Sequence, residues 1–181
     1  MKKILILIFL SALVFLAPQK VLAQNSQNAT ESAKIEYYLA YPGILPDHPL
    51  YKLKVLRDKI TPLLIQDPLK KADFYLLQSD KGILATAMLV DKNKIDLAQD
   101  TAFKAEHNMT LLTFELKKLS KKPNNELFEK LKTASLKHQE VLESILKRVS
   151  KEEKKDLTTV LNFSKTNQQT IEKLQNKKYQ K

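Results

Sequence analysis

The sequence predicts an all-α fold: an elongated antiparallel helical bundle, or long helical hairpins, with coiled-coil-like seams. From Pro49 onward, apolar residues recur every three or four positions, which is the spacing of one face of an α-helix. Only 2 of the 181 residues are glycine, and no stretch alternates apolar and polar residues between hairpin turns. The links between the predicted helices are short, so consecutive helices are expected to lie antiparallel.

Residues 1–23 have the three parts of a signal peptide. Lys2 and Lys3 form a basic start, Ile4 to Ala17 form an apolar run, and a short segment ending in the small residue Ala23 follows. The apolar run is shorter than the roughly 20 residues of a membrane span. We therefore expect cleavage after Ala23 and an exported protein, secreted or held in the cell envelope, with no transmembrane span left. Retention of the segment as an N-terminal anchor is the alternative.

Two non-helical segments are predicted to precede the helices. Residues 24–36 are polar and aperiodic at their start, which is typical of a flexible spacer. Residues 37–48 are rich in tyrosine and proline, and are too apolar for a free loop. We interpret this second segment as the start of a docking clip, either closing the fold or binding a partner. Its anchors would be Tyr41, Leu45, Leu50 and Tyr51.

The α-helical domain is predicted to cover residues 49–178. Its five helices are expected at about residues 49–65, 68–92, 94–120, 125–149 and 151–177. Asp67 before Pro68 is a typical helix start, and Asn124 is expected to cap the fourth helix. Ser150 and Glu153 have the spacing of a capping box for the fifth helix. Asn93, with Asp96 three residues on, is expected to start the third.

Apolar stripes run along these helices and are expected to pack against one another in the bundle. The third helix has the most regular stripe, which alternates spacings of three and four. It consists of Ile95, Ala98, Ala102, Ala105, Met109, Leu112, Leu116 and Leu119. Its small residues allow a close approach to a neighbouring helix. The first helix has a comparable stripe of Leu50, Leu53, Leu56, Ile60, Leu63 and Leu64.

No catalytic, metal-binding or cofactor-binding arrangement is recognisable. The chain lacks cysteine, and none of its three histidines belongs to a zinc-protease or di-iron helix motif. His138 is in register with Leu131 and Leu142, and we interpret it as a hydrogen-bonded seam residue rather than a metal ligand. Ser164 and Asn167 also lie on a seam. We therefore predict that the protein is not an enzyme, with a site assembled from dispersed residues as a remaining alternative.

The positive charge predicts anionic partners. The formal net charge is +11, and removal of the three leader lysines leaves 28 bases and 20 acids, or +8. The sharpest basic cluster consists of Lys117, Lys118, Lys121 and Lys122. This cluster predicts an anion-docking site. The alternative is that these lysines only complement the helix dipole and form a solvated surface. Nucleic acid is not expected, since the domain is predicted to be exported and lacks aromatic stacking platforms.

One stretch resembles a known family. Tyr-Pro-Gly-Ile-Leu-Pro-Asp-His-Pro-Leu-Tyr-Lys-Leu-Lys from Tyr41, followed by Asp-Pro-Leu-Lys-Lys-Ala-Asp, is similar to a family of exported bacterial proteins with a domain of unknown function. The resemblance extends over about residues 41–120 and is close over 41–73. It implies a secreted α-helical domain and carries no activity, cofactor or catalytic residue. Members often have Arg-Leu where this chain has Gly82-Ile83.

These observations favour a non-catalytic binding or scaffolding module of the cell envelope. Its expected partners are anionic envelope components or another helical protein. A periplasmic helper that binds unfolded clients, in the manner of small cationic helical chaperones, is the alternative. That role requires an exposed concave apolar surface.

Overall fold

A computed structural model describes residues 35–177 of the chain, which lie in a compact unit that begins at Ile35. The predicted signal peptide and residues 24–34 of the predicted spacer lie outside the described residues. Within residues 35–177 there are five helices and no strand, which confirms the all-α prediction. The helices are α1 (Tyr51–Leu64), α2 (Pro68–Asp91), α3 (Ile95–Lys117), α4 (Asn125–Leu146) and α5 (Lys154–Gln175).

The four long helices, α2 to α5, form two hairpins that pack side by side. Only residues 92–94 separate α2 from α3, so these packed helices run antiparallel, and Ser79 and Gly82 of α2 lie against Ala105 of α3. Gln139 of α4 donates to Gln168 of α5, which pairs the second hairpin in the same way. Between the hairpins, α2 packs against α4 and α3 against α5. These neighbours run parallel, because the connection of residues 118–124 crosses the bundle diagonally.

The core consists of two apolar clusters along the bundle. One lies toward the α2–α3 turn and includes Leu89, Ala98, Leu142 and Leu157. The other lies toward the opposite end and includes Leu76, Met109, Leu112, Phe128 and Ile171. The predicted stripe of the third helix is buried from Ala98 to Leu116. Polar side chains separate the two clusters.

Side-chain caps fix the starts of α2 and α4, and a capping box lies in the turn just before α5. Asp67 Oδ1 accepts the Leu69 N–H at 2.8 Å, and Asn124 Oδ1 accepts the Leu127 N–H at 3.0 Å. Ser150 and Glu153 form the reciprocal capping box at the start of the last helix, with distances of 2.8 and 3.4 Å. Each cap satisfies backbone donors that the first helical turn leaves free.

Asn93 ends α2 instead of starting α3, contrary to the expectation from sequence. Its φ of 55° lies in the left-handed region, which asparagine tolerates better than most residues. The Asn93 N–H donates to Val90 O and the Lys94 N–H donates to Leu89 O, both at 2.9 Å. This is the Schellman pattern of a helix end. The start of α3 has no side-chain cap.

The Tyr/Pro segment packs on the bundle at separate points. The Ile35 N–H donates to Glu140 Oε2 at 3.0 Å. Residue 35 belongs to the predicted flexible spacer, so this end of the spacer is held against α4. Leu45 is buried, and Asp47 pairs with Lys92 at 3.0 Å. These contacts bring α1 over α2 and α3.

Helix α1 leaves its apolar stripe exposed, and the expectation that this stripe packs into the bundle is wrong. No residue of α1 is fully buried. Leu53 is 65% exposed, and Leu63 and Leu64 are 79% and 77% exposed. Neither core cluster contains a residue of α1, so α1 lies outside them with its other side toward the bundle. Within residues 35–177, no helix combines the length and apolar character needed to cross a membrane.

Gly82 marks the closest approach of α2 to α3. A Cβ at this position would lie 2.6 Å from Ala105 Cβ and 3.2 Å from Ala105 Cα. Because the second contact is with the backbone, a rotamer change cannot relieve it. The small residues at the start of the α3 stripe therefore set the spacing of the first hairpin.

We predict that Gly82→Ala destabilises the protein by about 1–2 kcal/mol, since the overpacking cost exceeds the gain of about 1 kcal/mol in helix propensity. Chemical denaturation measures the change. The double variant Gly82→Ala/Ala105→Gly should be more stable than the sum of its single variants implies. A Gly82→Ala protein as stable as the parent chain would contradict the close packing.

Candidate functional site

The centre of the bundle holds a buried histidine between two carboxylates. His138 Nε2 lies 2.9 Å from Asp80 Oδ1, and His138 Nδ1 lies 3.1 Å from Glu106 Oε1. His138 and Glu106 are fully buried, and Asp80 is nearly so. Since a carboxylate accepts hydrogen bonds, both ring nitrogens donate and the imidazole is the charged form. The cluster therefore links α2, α3 and α4 by charge-assisted hydrogen bonds.

Helix α5 and the Tyr/Pro segment complete the network. Asn167 Nδ2 donates to Glu106 Oε2 and to Glu106 O, each at 2.9 Å, and Thr110 Oγ1 donates to Asn167 Oδ1 at 2.8 Å. The Tyr37 hydroxyl donates to Asp80 Oδ2 at 2.7 Å. We define Tyr37, Asp80, Glu106, His138 and Asn167 as the central cluster. It joins all four long helices.

The surroundings of the central cluster shift two pKa values. Burial alone lowers the pKa of His138, but the hydrogen bonds and charges of Asp80 and Glu106 outweigh it and raise the pKa from 6.5 to about 9. Burial also raises the pKa of Tyr37, and the hydrogen bond to the Asp80 carboxylate adds to this shift. His138 is thus protonated at neutral pH.

The central cluster has the geometry of a structural element. His138 and Glu106 have no contact with solvent, and both His138 nitrogens are used within the cluster. Among residues 35–177, no group of three or more histidine, cysteine or acidic side chains could hold a metal ion. The arrangement agrees with the interpretation of His138 as a hydrogen-bonded seam residue. Sequence reasoning missed its partners Asp80 and Glu106.

A cavity of about 390 Å³ lies between α1 and the first hairpin. Its floor includes Gly82, Ala85 and Ala105, where the small residues leave room above the α2–α3 contact. On the α1 side, Tyr51 and Val55 face it. The volume lies at the lower end of the range of about 300–1,000 Å³ that is typical of ligand sites.

Lysines surround this cavity. Lys54, Lys59, Lys81 and Lys104 line it, with Asp58 as the acid among its lining residues. Lys54 Nζ donates to the carbonyls of Pro42 and Ile44 at 2.9 and 3.3 Å. Burial lowers the pKa of Lys54; Asp58 opposes this shift, and the nearby positive charges reinforce it. The cavity is therefore apolar at its floor and cationic around it.

The opposite side of α1 carries a separate apolar surface. We define the outward face of α1 by its exposed side chains, Leu53, Leu56, Ile60, Leu63 and Leu64. At 100° per residue, this face points away from Tyr51, Val55 and Asp58, which line the cavity. The same geometry places Lys52 and Lys59 along one edge of the face and Arg57 along the other.

The structure separates the predicted clip residues. Leu45 is buried and Tyr51 is half-buried at the cavity, so both contact the bundle. Tyr41 is 70% exposed and Leu50 is 52% exposed, and these two do not anchor the segment. Leu50 is the N-cap of α1 and precedes its first helical residue.

The four predicted anion-docking lysines have different surroundings. Lys117 lies over the Phe114 ring at 5.0 Å, and Lys118 pairs with Glu115 at 2.8 Å. Because α3 ends at Lys117 rather than near 120, Lys121 and Lys122 are exposed in the connection to α4. None of the four lines the cavity beneath α1.

The His138 shift predicts a pH-dependent stability. A histidine whose pKa is raised by folding stabilises the folded state fully below pH 6.5, and the contribution is lost as the pH rises through about 9. We expect the free energy of unfolding to decrease by on the order of 3 kcal/mol between these limits. Urea denaturation at a series of pH values measures this change.

His138→Gln should abolish this pH dependence, while His107→Gln, a change at an exposed histidine, should leave it intact. An unchanged pH profile in the His138 variant would show that the buried imidazole is not charged.

The comparisons with known proteins gave a match to one family model. Residues 43–153 match a family model described as Domain of unknown function (DUF5667). Neither the curated proteins nor the solved structures compared with the chain gave a match. The family match covers α1 to α4 and all of the cavity and outward-face residues. The chain therefore belongs to the DUF5667 family, whose function is unknown.

Proposed function

We propose that this protein is a non-catalytic binding module that attaches to an anionic membrane surface through the outward face of α1. One observation carries the proposal. Five large apolar side chains of this one short helix remain exposed, whereas none of the longer helices α2 to α5 exposes more than three. A contiguous exposed apolar strip with polar edges is typical of an interaction surface.

The charges on α1 favour an anionic membrane as the occupant. Lys52 and Lys59 lie along one edge of the outward face, and Arg57, on the other edge, pairs with Asp58, the acid of this helix, at 2.7 Å. In interfacial helices, apolar side chains enter the lipid boundary while flanking lysines and arginines reach the head groups. Each such base near an anionic surface contributes about 1 kcal/mol.

Burial of these exposed side chains in a membrane would also contribute enough free energy for attachment. Full burial of a leucine side chain is worth about 1.5–3 kcal/mol, and the outward face offers four leucines and one isoleucine. Partial insertion of these side chains, added to the electrostatic attraction, supports reversible binding. Export through the predicted signal peptide belongs to this proposal, since it would bring the domain to the outer side of the cytoplasmic membrane.

Other roles remain open beside this one. Another helical protein is the second occupant to consider for the outward face, because leucine strips also pair between helices. The chaperone-like alternative requires a concave apolar surface, and suppression of client aggregation would test it. An enzymatic site assembled from dispersed residues is the third alternative.

We predict that the chain starting at Gln24, which contains the whole compact unit, binds phosphatidylglycerol vesicles and not phosphatidylcholine vesicles in a flotation assay. Replacing Leu53 and Leu63 by serine should weaken this binding at least tenfold, because the two side chains lose more than about 1.4 kcal/mol of burial. High salt should weaken it as well, since exposed charges are screened.

Leu136→Ser is the matched control, because Leu136 is an exposed leucine on α4. It should leave vesicle binding unchanged. Equal binding by the Leu53/Leu63 variant would refute attachment through α1, and a stable dimer of the parent chain without vesicle binding would favour pairing between copies.

A further inference from the structure

The cavity beneath α1 combines an apolar floor with an excess of positive charge, and a loosely packed helix contact requires neither. Its floor of Gly82, Ala85 and Ala105 presents methyl groups and a bare backbone on the bundle side. Val55 and Tyr51 cover it from α1. A half-open cavity of about 390 Å³ with an apolar floor is large enough to hold a small ligand.

The charges around the cavity are unbalanced. Four lysines and one aspartate line it. Lys59 and Lys81 have no hydrogen bond or ion pair with any part of the chain that the structure describes, and Lys104 has only a 3.9 Å contact with Asp100. Lys81 also repels the half-buried Lys54. An anion placed among these groups would relieve the repulsion and supply the missing acceptor.

We propose that this cavity binds one acyl chain that carries an anionic head group. The chain would lie over Gly82, Ala85 and Ala105 beneath Val55, and the head group would contact Lys59 and Lys81. The volume, near the lower limit for ligand sites, favours a single chain over a two-chain lipid. An uncharged or cationic amphiphile would leave the lysines unpaired.

This site is distinct from the membrane-binding surface and goes beyond the proposed function. The cavity lies on the inward side of α1, whereas the proposed attachment to membranes uses the outward face. Lys59 borders both surfaces, so the variants that separate them are Val55→Trp on the cavity side and the Leu53/Leu63 serine variant on the outward face. In both proposals α1 contacts a lipid, and either proposal can be refuted while the other holds.

The test is titration of the chain from Gln24 with dansylundecanoic acid as a fluorescent probe, followed by displacement. Lauric acid and lauroyl-lysophosphatidylglycerol supply the same chain with a carboxylate or a phosphodiester head. Dodecyltrimethylammonium is the cationic control. We expect saturable binding of one probe molecule, displacement by both anionic compounds, and at least tenfold weaker displacement by the cation. The better of the two anionic competitors identifies the source of the ligand.

Two variants locate the site. Lys59→Glu/Lys81→Glu should weaken probe binding at least tenfold by reversing the charge, and Val55→Trp should abolish it by filling the space. Lys165→Glu, at an exposed lysine on α5, is the matched charge control and should bind like the parent chain. The Leu53/Leu63 serine variant should also keep probe binding, which separates this site from the outward face.

Three results would overturn the proposal. They are probe uptake that does not saturate, equal displacement by the cationic amphiphile, and undiminished binding by the Val55→Trp variant. Because Val55 belongs to the half-buried side of α1, circular dichroism should show that this variant retains the bundle.

Discussion

The charged hydrogen bonds of His138 determine how the four long helices meet. A buried imidazolium between Asp80 and Glu106 is stable only when all three groups are correctly placed, because an unpaired buried charge is costly. Asn167 extends the requirement to α5. The central cluster thereby fixes the longitudinal register of the helices, which the apolar clusters on either side of it would specify less strictly.

This closed core explains the position of α1. The two apolar clusters and the central cluster contain no residue of α1, so α1 is not needed to complete them. Helix α1 is held instead by Leu45, by the Asp47–Lys92 ion pair and by its own half-buried side. Its leucines are left exposed, and the mismatch between its inner side and the hairpin leaves the cavity. Both proposed lipid contacts follow from this arrangement.

The sequence predicted the fold class and several local features because these depend on short-range patterns. The stripe of the third helix, the caps at Asp67 and Asn124, and the Ser150–Glu153 capping box are examples. Asp80 and Glu106 were missed because acidic residues usually face solvent. Their register was the available signal, since Asp80 lies four residues after Leu76 and three before Ile83, both buried.

The stripe of α1 shows the limit of periodicity. Its spacing matches that of buried stripes, but amphipathicity does not reveal what covers the apolar face. Whether α1 packs into the core depends on whether the other helices leave a gap, which is a property of the whole chain. The cavity likewise depends on long-range packing of residues that are far apart in sequence.

The most direct test of this account is hydrogen–deuterium exchange of the chain from Gln24, free and bound to phosphatidylglycerol vesicles. We predict that in the free protein the amides of α1 exchange faster than those of α2 to α5, because α1 has no fully buried residue. On vesicles, α1 should gain protection while the four long helices stay unchanged. Core-like protection of α1 in the free protein, or protection gained only elsewhere, would contradict it.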